Sequence, residues 1–141
     1  MSIWFREYTV DEINQRSENT MADFLSIAFT EIRPDGLIAK MPVTDRVKQP
    51  IGIVHGGANV VLAETVASTA ANMVVNINEY YCVGLEINTN HIRSVRAGVV
   101  FAECKPFHLG KSTQVWHIEL YDEQKRTTAI SRMTASVLKR S

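Results

Sequence analysis

Between His55 and Glu79 the chain carries a single charged residue, Glu64, inside the run GGANVVLAETVASTAANMVVNIN. At about 100° per residue, Val60, Val61, Ala71 and Val75 fall on the same side as Glu64, and Leu62, Val66 and Met73 fall opposite. A helix that is apolar nearly all round is normally enclosed by the rest of its protein, so a chain with this run must fold around it. A carboxylate in such a helix loses water and must be paired, neutralised or used in chemistry. Just upstream, His55-Gly56-Gly57 sets free backbone N–H groups and a positive dipole end a few turns from the carboxylate. The combination points to an acyl-transfer site.

The flanking sequence supplies the walls. Thr9-Val10-Asp11-Glu12 fits a capping box and predicts a short helix over 10–16. A further helical turn is expected at 20–25. Residues 26–33 and 37–43 read as a hairpin whose turn, Pro34-Asp35-Gly36, holds proline in its preferred second position. A polar loop over 44–54 leads to the long helix, expected over 57–76 and about 30 Å long. Strands follow. Val83, Leu85 and Ile87 alternate with polar neighbours in a strand over 82–94, and Trp116, Ile118 and Leu120 alternate with His117 and Glu119. Residues 98–107 and 127–138 complete the set, with turns at 109–112 and at Asp122-Glu123-Gln124-Lys125. Two strands, one long helix and four more strands predict a single α+β domain over 1–141. Its antiparallel sheet curls around the helix and leaves edges that a partner subunit could cover.

Composition removes several function classes. Fifteen basic and 15 acidic residues give zero formal net charge, so nothing electrostatic argues for nucleic acid or an anionic membrane as partner. The N-terminus MSIWFREYTV lacks the plan of a signal peptide, and no apolar stretch reaches the roughly 18 residues needed to span a bilayer. Cys82 and Cys104 show no CxxC spacing and read as free core thiols. The expectation is a soluble, cytoplasmic protein. His55, His91, His108 and His117 show no metal-ligand spacing, and GxSxG, Walker and GxGxxG motifs are absent.

Glu64 is the first candidate for chemistry, because its neighbours are Val60, Val61, Ala67, Ser68 and Ala71. Ser68 and Asn72 follow at four-residue intervals; they orient the carboxylate, a water or a substrate group, or else pack the helix. Gly56 and Gly57 let a ligand approach the backbone, where unpaired N–H groups suit a developing oxyanion. The Gln49 amide is placed to donate to a carbonyl or simply to solvent. Asn90-His91-Ile92-Arg93-Ser94 and His108-Leu109-Gly110-Lys111-Ser112 suit phosphate contacts, and suit an ordinary surface equally.

QPIGIVHGGANVVLAET resembles the signature Gln-Pro-aromatic-Gly-x-x-His-Gly-Gly…Ala-Glu of hotdog-fold acyl-CoA thioesterases, in the 4-hydroxybenzoyl-CoA thioesterase superfamily. The resemblance runs from Trp4 almost to the C-terminus. It includes Asp45 and Arg46, VGLEINTNHIRS at 83–94, KPFHLG at 105–110 and QVW at 114–116. It implies a sheet wrapped around one long central helix, homodimers or dimers of dimers (homotetramers), and an active site across the dimer interface. By motif, Glu64 resembles the catalytic carboxylate, as nucleophile or general base. Gln49 and His55 resemble the supporting polar groups, Gly56 the oxyanion donor and Ser68 the hydroxyl one turn after the Glu. Gly84, His91, Ile92, Arg93, Ser94, His108, Leu109, Gly110, Lys111, Ser112 and Thr113 match segments that contact coenzyme A or the acyl chain. Ile51 stands where these relatives carry an aromatic residue. The implied reaction is hydrolysis of an acyl-CoA, aromatic by preference, to free acid and CoA. No metal or other cofactor is expected, coenzyme A being part of the substrate. The alternatives are a non-catalytic acyl-CoA-binding or sensing module and a hotdog-type hydratase or dehydratase.

Overall fold

The computed structural model describes residues 1–141. Two short helices, α1 (Val10–Arg16) and α2 (Met21–Phe24), precede a hairpin of β1 (Ala28–Arg33) and β2 (Gly36–Pro42). After a single 3-10 turn at Asp45–Val47 comes the long helix α3 (Gly56–Val74), then β3 (Tyr80–His91), β4 (Val99–Leu109), β5 (Thr113–Tyr121) and β6 (Thr127–Lys139). All the strands join one sheet in the order β1-β2-β4-β5-β6-β3, with every pairing antiparallel. No helix is long and apolar enough to cross a membrane.

The local signals act largely as expected. Thr9 caps α1 by accepting from the Glu12 N–H at 3.2 Å. The box is only half closed, because the Glu12 carboxylate pairs with Arg6 at 2.9 Å rather than returning to Thr9. Arg33 pairs with Gly36 around Pro34-Asp35, the predicted hairpin turn. Gly36 is needed there for close approach, since a β-carbon would stand 2.9 Å from the Cys104 carbonyl oxygen.

Helix α3 lays Leu62, Ala63, Val66, Ala67, Ala70 and Met73 on the sheet, all fully buried. They pack with Leu37, Met41, Trp116, Ile118, Leu120 and Met133 in one apolar cluster. Removing one such large side chain from water contributes about 1.5–3 kcal/mol, so this contact fixes where α3 lies. The enclosure is one-sided. Val60, Val61, Glu64, Thr65, Ser68, Thr69 and Asn72 are only half-buried, because the sheet covers one side of the helix. Ala71, expected on the Glu64 side, is fully buried.

α3 ends two residues earlier than expected. Asn76 forms its own turn instead: its side-chain oxygen accepts from Asn78 N–H and its carbonyl from Glu79 and Tyr80 N–H. β3 likewise stops at His91, since the Ile92 and Arg93 N–H groups both donate to the Thr128 carbonyl. The larger departure is within β3. A bulge between Gly84 and Glu86 inserts one residue, so Cys82 and Ile87 both face inward while Val83 and Leu85 face outward, 43% and 67% exposed. The apolar alternation at 83, 85 and 87 is therefore not one face. β3 is also an edge strand, so its outer backbone groups have no sheet partner.

Candidate active site

The loop ahead of α3 is held by its backbone. His55 N–H donates to the Val47 carbonyl at 2.7 Å, and Val54 N–H to Val95 at 2.9 Å. Between them Gln49 N–H donates to Ile53 O and Gly52 N–H to Gln49 O, closing a tight hairpin with Gly52 at φ 87°. The Gln49 side-chain oxygen accepts from Ile51 N–H, which leaves its amide NH2 without a partner in the turn. Arg96 ties the same turn down by donating to the Ile51 carbonyl at 3.2 Å.

His55 is the N-cap of α3 and its Nδ1 accepts from Gly57 N–H at 2.8 Å. In the neutral ring the proton is therefore on Nε2. Gly56 N–H has no acceptor. Gly56 lines a cleft of about 280 Å³ whose walls also include Gln49, Asn59, His91, Arg93 and Ser94. The His91 ring lies beside Gly56, its Nε2 standing 3.0 Å from where a β-carbon would be, so a larger residue there would press on the ring and shift it by a few tenths of an ångström.

Glu64 sits mid-helix and half-buried, with its carboxylate against Gly84 and no ion pair. One turn on, the Ser68 hydroxyl faces the Met133 sulfur at 3.6 Å. Asn72 does not continue a ligand-facing stripe: its amide donates to Cys82 O and accepts from Cys82 N–H, binding α3 to β3. Burial pushes the Cys82 thiol up to about 11 and the Cys104 thiol higher still, so neither is a thiolate near neutral pH.

The residues singled out from sequence therefore occupy three places in one protomer. Gln49, His55, Gly56, His91, Ile92, Arg93 and Ser94 gather at the head of α3. Glu64, Ser68 and Gly84 lie near its middle, with Glu64 about 12 Å from Gly56 along the axis. His108, Leu109, Gly110, Lys111, Ser112 and Thr113 form or flank the β4–β5 turn at its far end, about 27 Å from Gly56. There Leu109, Gly110 and Lys111 line a second cavity of about 530 Å³ with Phe5, Val74 and Tyr80. Two residues beside the first group escaped the sequence reading, Asn59 on the cleft wall and Arg96 on the Gln49 turn. A polar residue in the first turn of an apolar helix was the available signal for Asn59; Arg96 offered none.

A free N–H and a side-chain amide on one cleft suit a carbonyl oxygen that gains charge, and an unpaired carboxylate suits attack or proton abstraction. The comparisons agree with that chemistry. A model of the thioesterase superfamily matches residues 51–129. The 1,4-dihydroxy-2-naphthoyl-CoA hydrolase of Escherichia coli is 48% identical over 96% of this chain and 99% of its own. A crystal structure of a mutant thioesterase from Pseudomonas aeruginosa superposes with a TM-score of 0.97 at 40% identity, covering 99% of this chain and all of the other. A thioesterase from Haemophilus influenzae gives 0.94 at 38% identity, covering 97% of this chain and 95% of that one.

Proposed function

The chain belongs to the thioesterase superfamily, has the hotdog fold and is a thioester hydrolase; within that class we propose that it cleaves aromatic acyl-CoA esters at a site shared by two protomers. The observation that carries the reading is the unpaired Gly56 N–H at the head of α3, on a residue that lines the same cleft as Gln49. Together they polarise the thioester carbonyl, and the helix dipole favours the oxyanion. Either Glu64 attacks the carbonyl carbon, CoA leaves as its thiolate and water then hydrolyses the acyl–Glu64 anhydride to free acid, or Glu64 draws a proton from a water that attacks, and the thiolate leaves in the same way. His55 holds the first turn of α3 and Ser68 flanks the carboxylate. Arg93, Ser94 and the His108–Thr113 turn carry cationic and hydroxyl groups suited to the CoA phosphates. The step uses no metal or redox cofactor.

The 12 Å between Gly56 and Glu64 is too long for one chain to bring both to one carbonyl carbon. A second copy resolves this. Pairing the open β3 edges about a twofold axis sets two α3 helices antiparallel, which carries each Gly56 toward the partner's Glu64 and the partner's 108–113 turn. The exposed Val83 and Leu85 beside that edge support the pairing. The reading is therefore of a homodimer or a dimer of dimers, which we place in the cytoplasm. The aromatic preference rests on likeness to the naphthoyl-CoA hydrolase, with Ile51 at the tip of the Gln49 turn as the point of difference.

Free-thiol release from benzoyl-, hydroxybenzoyl-, naphthoyl- and straight-chain acyl-CoA tests the reading. Wild type is expected to turn over the aromatic esters fastest. Glu64→Ala should lose at least about 1000-fold in kcat while remaining folded. Undiminished turnover by Glu64→Ala overturns the catalytic assignment, and binding without turnover by wild type favours the sensing module.

A further inference from the structure

We propose that Asn59 is a positioning residue that holds His91 as its Nε2–H tautomer, so that the imidazole adds a neutral hydrogen-bond donor beside the Gly56 N–H. The inference rests on the thioesterase reading of this site. Asn59 lies on the first turn of α3, three residues past Gly56, and is 7% exposed. Its Nδ2 stands 3.3 Å from His91 Nδ1. An amide NH2 only donates, so a neutral ring facing it presents its lone pair at Nδ1 and carries its proton on Nε2. That atom is the part of the ring closest to where a β-carbon on Gly56 would stand. Neither Nε2 nor Gly56 N–H has an acceptor within the protomer, and both residues line the same cleft.

Burial argues the same way. Asn59 Oδ1 is enclosed and makes no hydrogen bond. An unsatisfied buried polar atom is costly, so a residue placed only to pack the helix would be better apolar. What the amide supplies is direction. With the proton on Nδ1 instead, Nε2 would turn a lone pair toward the oxygen that gains charge, and the donor would become a source of repulsion. Donors fixed in advance matter here because they need no reorganisation as the oxyanion forms.

Two measurements test this independently. Long-range ¹H–¹⁵N correlation spectra of the resting protein report which imidazole nitrogen carries the proton. Neutral His91 should be Nε2–H in wild type, and Asn59→Ala should shift it to an averaged mixture of tautomers. In thiol release, Asn59→Ala should lower kcat about fivefold with KM changed by less than about twofold. The same substitution in a His91→Gln background should cost nothing further, because the Gln amide donates without a tautomer to set. A packing role for Asn59 would cost the same in both backgrounds. Equal losses, a change confined to KM, or wild-type His91 protonated on Nδ1 overturns the proposal. A wild type inactive on every CoA ester would sink the thioesterase reading and the catalytic half with it, while the spectra still decide whether Asn59 sets the tautomer.

Discussion

One methyl group at position 84 decides whether Glu64 keeps its place. A β-carbon on Gly84 would stand 2.2 Å from Glu64 Oε2, far inside contact distance. The obstructing atom is the end of a flexible side chain, so the carboxylate swings away and the backbone stays. Gly84→Ala should therefore leave unfolding free energy within about 1 kcal/mol. Displacement of about 1 Å at a reacting group can cost roughly 100-fold, and kcat should fall on that order. Urea melts read beside thiol release check the split; equal damage to both would make Gly84 a structural residue only. Glu64 itself was legible because a lone charge in an apolar helix has few ordinary explanations. Gly84 came only through the family resemblance, since a glycine in a strand does not announce what lies over it. Asn59 carried only a weak signal. A polar residue in a first helical turn is commonplace, and its partner His91 is 32 positions away, brought near only by the fold.

Between elements, Asn72 joins α3 to the edge strand. Its side chain accepts from Cys82 N–H at 2.8 Å and donates to Cys82 O at 3.1 Å, satisfying two backbone groups that no neighbouring strand reaches. Asn72→Ala should cost about 2 kcal/mol, the worth of two hydrogen bonds whose partners are left half-buried. Asn72→Asp keeps the acceptor but turns an anionic oxygen toward the Cys82 and Ser68 carbonyls, so near neutral pH it should cost more than Asn72→Ala, a ranking that chemical denaturation can read. Equal stability of all three proteins would mean that water replaces the amide. From sequence, Asn72 belonged to the stripe of Glu64 and Ser68, because helical periodicity gives a direction and not the strand that occupies it. The order of elements and the hairpin were readable from turn chemistry and alternation. The face of β3 was not, since a bulge of one residue preserves the alternation of the letters and reverses which side they point to.

At the scale of the whole molecule the pieces of the site must be counted by chain. If each site takes Gln49 from one protomer and the partner's Glu64, two inactive variants can repair each other. A heterodimer of Glu64→Ala with Gln49→Ala holds one site with both groups intact and one with neither. Random mixing makes half of the dimers mixed, so activity should return to about one quarter of the wild-type value. Differently tagged chains, co-expressed and purified through both tags, isolate the mixed dimer and should double that fraction. Activity no greater than the two parents' would mean that no site draws on both chains. The spacing along α3 then leaves a single consequence. Glu64 cannot travel 12 Å to its own Gly56 without unwinding the helix, so such a result would remove Glu64 from the chemistry instead of relocating the site.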